Sequence, residues 1–233
     1  MGFFDFLKAK PDQPDWWLNE KDPRVRRAHL WGASEFVEKQ AGNLRAVGRK
    51  DDAHKVIAEF LTKVFQEFKN EPDNPRHLSF LTDIALRLGA LEVGKKTLES
   101  VIESDDNLSL DLTLVYESLG RIYHQLRTDR KRELWCYEMA VSAMSPPNCK
   151  FPATRQQKAI AHRFAFSLLR AWSYTWEFEM KKKGAGAEDI ARAREEHRTD
   201  EQRATTHMQK AKELVPEVNW DDPDYVHKLM QSE

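Results

Sequence analysis

Eight histidines lie along the 233-residue chain: His29, His54, His77, His124, His162, His197, His207 and His227. Imidazoles hold a metal when two of them, or one with a glutamate, recur on one helix face, as in His-x-x-x-His or Glu-x-x-His. No pair here has that spacing, so neither a metal site nor a cofactor is expected. His197 follows Glu195 and Glu196 in a charged run and reads as part of a solvated helix face. Cys136, between Trp135 and Tyr137, reads as a buried thiol. Cys149 follows Pro146 and Pro147 and lacks the neighbouring base or helix N-terminus that activates a thiolate. Two cysteines make no disulfide framework. No serine sits in a Gly-x-Ser-x-Gly elbow. The glycines of KKKGAGAED lack both the spacing of a phosphate loop and the lysine that follows it, and this stretch reads as a flexible connector. No catalytic residue is therefore expected, and the chain reads as non-enzymatic.

The cations are balanced. Lys+Arg is 37 against Asp+Glu 38, a net charge of -1. Nucleic-acid affinity rests on excess positive charge, so no nucleic-acid partner is expected. The densest basic patches, Lys181–Lys183 and Arg127 with Arg130, Lys131 and Arg132, have acidic neighbours and read as solvated turns. No apolar run approaches the roughly 18 residues that mark a membrane-spanning helix. The start, MGFFDFLKAK, lacks the basic n-region and long apolar stretch of a secretory signal. A cytoplasmic location is expected.

The elements that must position these residues read as helices throughout. Val56, Ile57, Phe60, Leu61, Val64, Phe65 and Phe68 recur at three and four, with Asp51 or Asp52 as the N-cap. Leu78, Leu81, Ile84, Ala85 and Leu88 make one stripe closed by Gly89, and Leu91, Gly94, Leu98, Val101 and Ile102 make the next. Leu112, Val115, Leu119, Ile122, Tyr123 and Leu126 lead to a charged turn around Asp129. Leu134, Tyr137, Ala140, Val141 and Met144 follow and run into Pro146. Ile160, Phe164, Leu168, Trp172 and Trp176 step by four. Residues 181–199 are almost devoid of large apolar side chains and read as a charged insertion. Ala204, Met208, Ala211 and Leu214 form a last stripe. No segment alternates with period two, so the expected fold is all-α, built from antiparallel helix pairs.

Pairs recurring at about 34 residues resemble tetratricopeptide repeats. Leu119, Gly120 and Tyr123 occupy the Leu-Gly-x-x-Tyr positions of a first helix, with Tyr137, Ala140 and Pro146 in the second. Ala204, Met208, Ala211 and Pro216 match another second helix, and Leu81, Ala85, Gly94, Leu98 and Val101 sit correctly in a weaker pair. Glu133 stands where the family carries an alanine, and Thr82 where it carries a glycine. The resemblance covers 75–216 and implies a short right-handed superhelix of degenerate repeats. It places Gly120 where two helices cross closely, so Gly120→Leu is expected to overpack. Gly120→Ala is expected to be mild, since alanine is the better helix former.

The domain organisation expected is an aromatic, proline-rich arm at 1–23, a capping helix pair at 24–74, the repeats at 75–219 with the charged insertion at 181–199, and a tail at 220–233. In such repeats the first helix of each pair lines a concave groove. The resemblance implies a peptide-binding groove carrying Arg87, Arg121, His124, Gln125, His162 and Arg170, with the arginines pairing carboxylates bidentately. The partner expected is a protein or peptide, an acidic one fitting best, bound by an adaptor, scaffold or chaperone. Its affinity should rise below about pH 6.5, where an unperturbed histidine gains charge. Two further readings stand beside this one. One is a membrane-peripheral scaffold whose residues 1–17, with Phe3, Phe4 and Phe6, touch lipid. The other is an enzyme with an unrecognised site.

Overall fold

A computed structural model of the chain describes residues 22–68, 74–103 and 111–222. The aromatic arm, the polar run after Glu103 and the segment from 223 onward lie outside the described residues. Eight helices occur among those described: α1 Pro23–Ala46, α2 Lys50–Phe68, α3 Asn74–Leu88, α4 Leu91–Glu103, α5 Thr113–Leu126, α6 Arg130–Ser142, α7 Arg155–Lys182 and α8 Ala187–Leu214. None of the described residues is in a strand. The all-α class and the packing of successive helices follow the expectation. None of these helices is long and apolar enough to cross a membrane.

Local chemistry sets the helix ends. Gly89 closes α3 at φ +68°, a left-handed conformation that costs glycine nothing and other residues strain. Asp129 caps α6 by accepting from the amide of Arg132 at 2.9 Å. Thr154 and Gln157 form a reciprocal capping box at the start of α7, Gln157 N donating to Thr154 Oγ1 at 3.2 Å and Thr154 N to Gln157 Oε1 at 2.8 Å. Asp51 and Asp52 do not cap α2. The helix already begins at Lys50, so both carboxylates lie in its first turn, where the positive helix end still favours them.

The chain divides into two compact units, residues 1–104 and 105–233. In the first, α1 packs on α2, α2 on α3 and α3 on α4, with further contact between α1 and α3 and between α2 and α4. Its core is apolar: Leu30, Val37, Leu61, Val64, Leu81, Ile84 and Leu98 are all buried.

In the second, α5 packs on α6, α6 on α7 and α7 on α8, and α5 also touches α7. Ala161, Ala165 and Leu169 of α7 and Ala204 and Ala211 of α8 are buried. Helices α7 and α8 are 28 residues each and run antiparallel. The stretch 181–199 is the end of α7, a turn through Gly184 and the first part of α8. Within it His197 stacks on Trp176 of α7 at 4.6 Å. Trp220 is buried rather than free: it packs with Ala159, Ala211 and Val215, and its indole N–H donates to Val215 O at 3.0 Å.

Candidate functional site

Helices α5 and α6 of the second unit approach closely at Gly120. A Cβ on Gly120 would stand 2.6 Å from Cε1 of Tyr137. Tyr137 is buried and its ring stacks on Phe164 of α7 at 5.3 Å, so the ring has little room to yield. Gly120 thus occupies the close approach that the repeat resemblance assigns it. The expectation that alanine would be mild there is overturned: the better helix propensity, worth about 1 kcal/mol, is set against a steric overlap with a fixed ring.

Buried carboxylates surround that contact. Glu133, where an alanine was expected, is buried and receives His124 Nδ1 at 2.8 Å. Burial holds its carboxyl above the ordinary value, and His124 only partly offsets this. The phenol of Tyr137 is raised as well, by burial first and then by the charges of Glu133 and Glu117. The charge of Arg121, half-buried on α5, acts in the opposite sense on the same phenol. Asp111, buried ahead of α5, joins three segments: it accepts from Thr113 N at 2.9 Å, Ala153 N at 2.7 Å and the hydroxyl of Ser145. Burial acts to raise its pKa, but these bonds outweigh it and hold the carboxylate below its ordinary range.

A second polar set lies between α6, α7 and α8. His162 Nδ1 meets His207 Nδ1 at 2.8 Å, one ring donating and the other accepting. Glu138 of α6 pairs with Arg203 and lies 3.9 Å from His207 Nε2, and these two neighbours hold its carboxyl low. Arg203 continues to Asp200 at 3.0 Å. Burial, and then the neighbouring charges of His207 and Lys210, push His162 down to about 4. The expected gain of charge below about pH 6.5 therefore does not apply to His162. His197 is not a solvated side chain either: its ring stacks on Trp176 at 4.6 Å, and its Nδ1 lies 3.3 Å from Asp200 without a hydrogen bond.

The six residues assigned to a groove have distinct surroundings. Arg87 belongs to the first unit, where it pairs with Glu38 at 2.8 Å and Glu35 at 3.7 Å and lies over Trp31 at 4.7 Å. Arg121, His124 and Gln125 lie on α5, and Gln125 is exposed. His162 faces α8 through His207. Arg170 of α7 pairs with Glu201 of α8 at 3.1 Å and lies over Tyr174 at 4.8 Å. The sequence reading missed Glu138, Arg203 and His207, which no spacing rule singles out. It noted Glu133 only as a departure from the repeat pattern, and that departure was the signal of a buried carboxylate.

Cys136 is buried, and Cys149 is half-buried in the turn after Pro146. Among the described residues no group of three or more histidines, cysteines or carboxylates is placed to hold a metal ion. No protein-family model matches the chain, and no curated protein matches it.

Proposed function

We propose that this chain is a non-enzymatic interaction module, an adaptor, scaffold or chaperone, that binds a peptide or partner protein in a groove lined by the first helices of its pairs. In this reading α5 and α6 form a degenerate tetratricopeptide-like repeat, and α7 is the first helix of the next pair. The observation that supports it is the approach of Gly120 to Tyr137, a close contact of α5 with α6 that is compatible with such a pair. The contact of α5 with α7 supports it too, because first helices of successive repeats then lie side by side. Arg121 and Gln125 of α5 and Arg170 of α7 are the groove residues of this unit. The Arg170–Glu201 pair is open to water, and such pairs are worth about 0.2–1 kcal/mol, so a partner's carboxylate exchanges for Glu201 at little cost.

Recovery of partners on the full-length protein tests the reading. Gln125→Glu together with Arg170→Glu is expected to abolish recovery of proteins held by the wild type, with the helical spectrum unchanged. Binding should weaken with salt, since exposed charges are screened beyond about 8–10 Å at ordinary ionic strength. Arg194→Glu, on the exposed part of α8, should do little. Recovery unchanged by the double substitution would remove the groove from consideration.

A further inference from the structure

The turn that joins α5 to α6 carries Arg127, Arg130, Lys131 and Arg132, and every residue from 127 to 132 is exposed, so the turn projects from the second unit. In the sequence these cations have acidic neighbours, but the fold engages those carboxylates otherwise. Asp129 caps α6 by accepting from the amide of Arg132 at 2.9 Å. Glu133 is buried and receives His124 Nδ1 at 2.8 Å. Arg130 helps keep that carboxyl charged but forms no ion pair with it. Among the described residues none of the four cations has an ion-pair partner. Lys181, in the other basic run, differs in pairing with Glu177 at 2.7 Å. The projecting turn thus presents four cations and a single exposed carboxylate, Asp129.

We propose that this turn docks on the surface of a bilayer rich in anionic phospholipid headgroups. The groove of α5 and α7 plays no part in it. The shape of the turn and the freedom of its cations select the occupant. A projecting turn meets a flat surface with all its charges, whereas a small ligand is held in a concavity. Recognition of a single carboxylate or phosphate uses an arginine fork fixed by its neighbours. Of the four cations only Arg132 is so held, 3.8 Å over the ring of Trp135. Cations on free, flexible stems instead gather many headgroups diffusely, each worth about fivefold in partitioning near an anionic surface. Single-stranded nucleic acid calls for a free aromatic face on which bases stack. The ring of Trp135 is covered by Arg132 and met edge-on by Tyr116 at 5.6 Å. A duplex calls for cations spread along many phosphates, and these four are confined to one turn. The net charge of -1 does not oppose docking, because charges more than about 8–10 Å from the headgroups are screened.

The full-length protein is floated with vesicles of phosphatidylcholine alone and of phosphatidylcholine with about one-third phosphatidylserine. The wild type is expected to bind the anionic vesicles about tenfold more than the neutral ones. Salt at about 1 M, which cuts the screening length to about 3 Å, should release it. Arg127→Gln with Arg130→Gln and Lys131→Gln should lower binding about tenfold or more, with an unchanged helical spectrum. Lys181→Gln with Lys182→Gln and Lys183→Gln removes the same charge elsewhere and should lower it by less than about twofold. Should the first triple variant lose its helical spectrum, Arg130→Gln alone, expected to lower binding about fivefold, decides in its place. Equal binding to both kinds of vesicle would put the contact in the Phe-rich arm and overturn the proposal. No binding to the anionic vesicles, an equal loss in both triple variants, or capture of a short RNA in place of the vesicles would overturn it as well.

Discussion

At Gly120 two effects of a single methyl group compete. Alanine gains about 1 kcal/mol over glycine inside a helix. The same Cβ would lie 2.6 Å from Tyr137, whose ring is buried and backed by Phe164. Overpacking in a close-packed core costs about 1–3 kcal/mol, so the clash wins. Gly120→Ala should therefore lower the urea midpoint, Gly120→Leu should lower it further, and the penalty of alanine should shrink in a Tyr137→Leu background. An alanine variant as stable as the wild type would show that Tyr137 moves freely.

His162 gives the second prediction at this scale. Its folded pKa is pushed down to about 4, against an unfolded value near 6.5. Below pH 6.5 the unfolded chain binds a proton that the folded chain refuses, so stability falls as pH drops from 6.5 towards 4. Discounted for partial exposure, the loss amounts to about 1–2 kcal/mol. Asp111 and Glu138 are depressed in the folded state and give up their stabilisation only below the ordinary carboxylate range, so a comparison of pH 7 with pH 5 leaves them aside. The midpoint of the wild type should fall over that interval by more than that of His162→Gln, which keeps a donor for His207 without titrating. Equal falls in the two proteins would assign the acid sensitivity elsewhere.

At the scale of elements, the end of α8 depends on a residue beyond it. Trp220 is 1% exposed, fills the space between Ala159, Ala211 and Val215, and closes the chain back on itself through Val215 O. Trp220→Ala leaves a large cavity and should cost about 3–5 kcal/mol. Trp220→Phe should recover most of the packing and lose the hydrogen bond, worth about 1 kcal/mol. Thermal unfolding measures both; equal losses would mean that the hydrogen bond outweighs the packing. At the other end of the unit Asp111 gathers Thr113, Ser145 and Ala153. Asp111→Ala leaves buried amides without an acceptor and should destabilise by about 2 kcal/mol or more.

At the scale of the molecule, each unit carries its own core. The second buries Leu119, Ile122, Tyr137, Leu169 and Trp220, and its buried carboxylates Glu133 and Asp111 find their partners His124 and Ser145 within it. A fragment of residues 105–233 should thus show a helical spectrum and a single cooperative unfolding transition. A fragment without cooperative melting would mean that the unit needs the rest of the chain.

Periodicity and punctuation were enough to read the helices. Stripes at three and four, Gly89, Asp129 and the prolines near 146 mark ends that the helices respect, because capping and amphipathic spacing act over a few neighbouring residues. Gly120 was legible through the resemblance to a repeat that carries a glycine at its helix crossing, and not from its local setting: Gly32 and Gly42, also inside a helix, meet nothing within 4 Å. What faces Gly120 was not legible. Tyr137 lies seventeen residues onward, and its fixed ring depends on Phe164 in another helix. The pairing of His162 with His207, the stacking of His197 on Trp176 and the burial of Glu133 arise in the same way. Each joins residues distant in sequence, and each outcome turns on burial, which desolvates a charge or lets one imidazole find another. Local spacing carries no record of which helix faces will meet. Only the packing of α5 to α8 decided which titratable groups are buried.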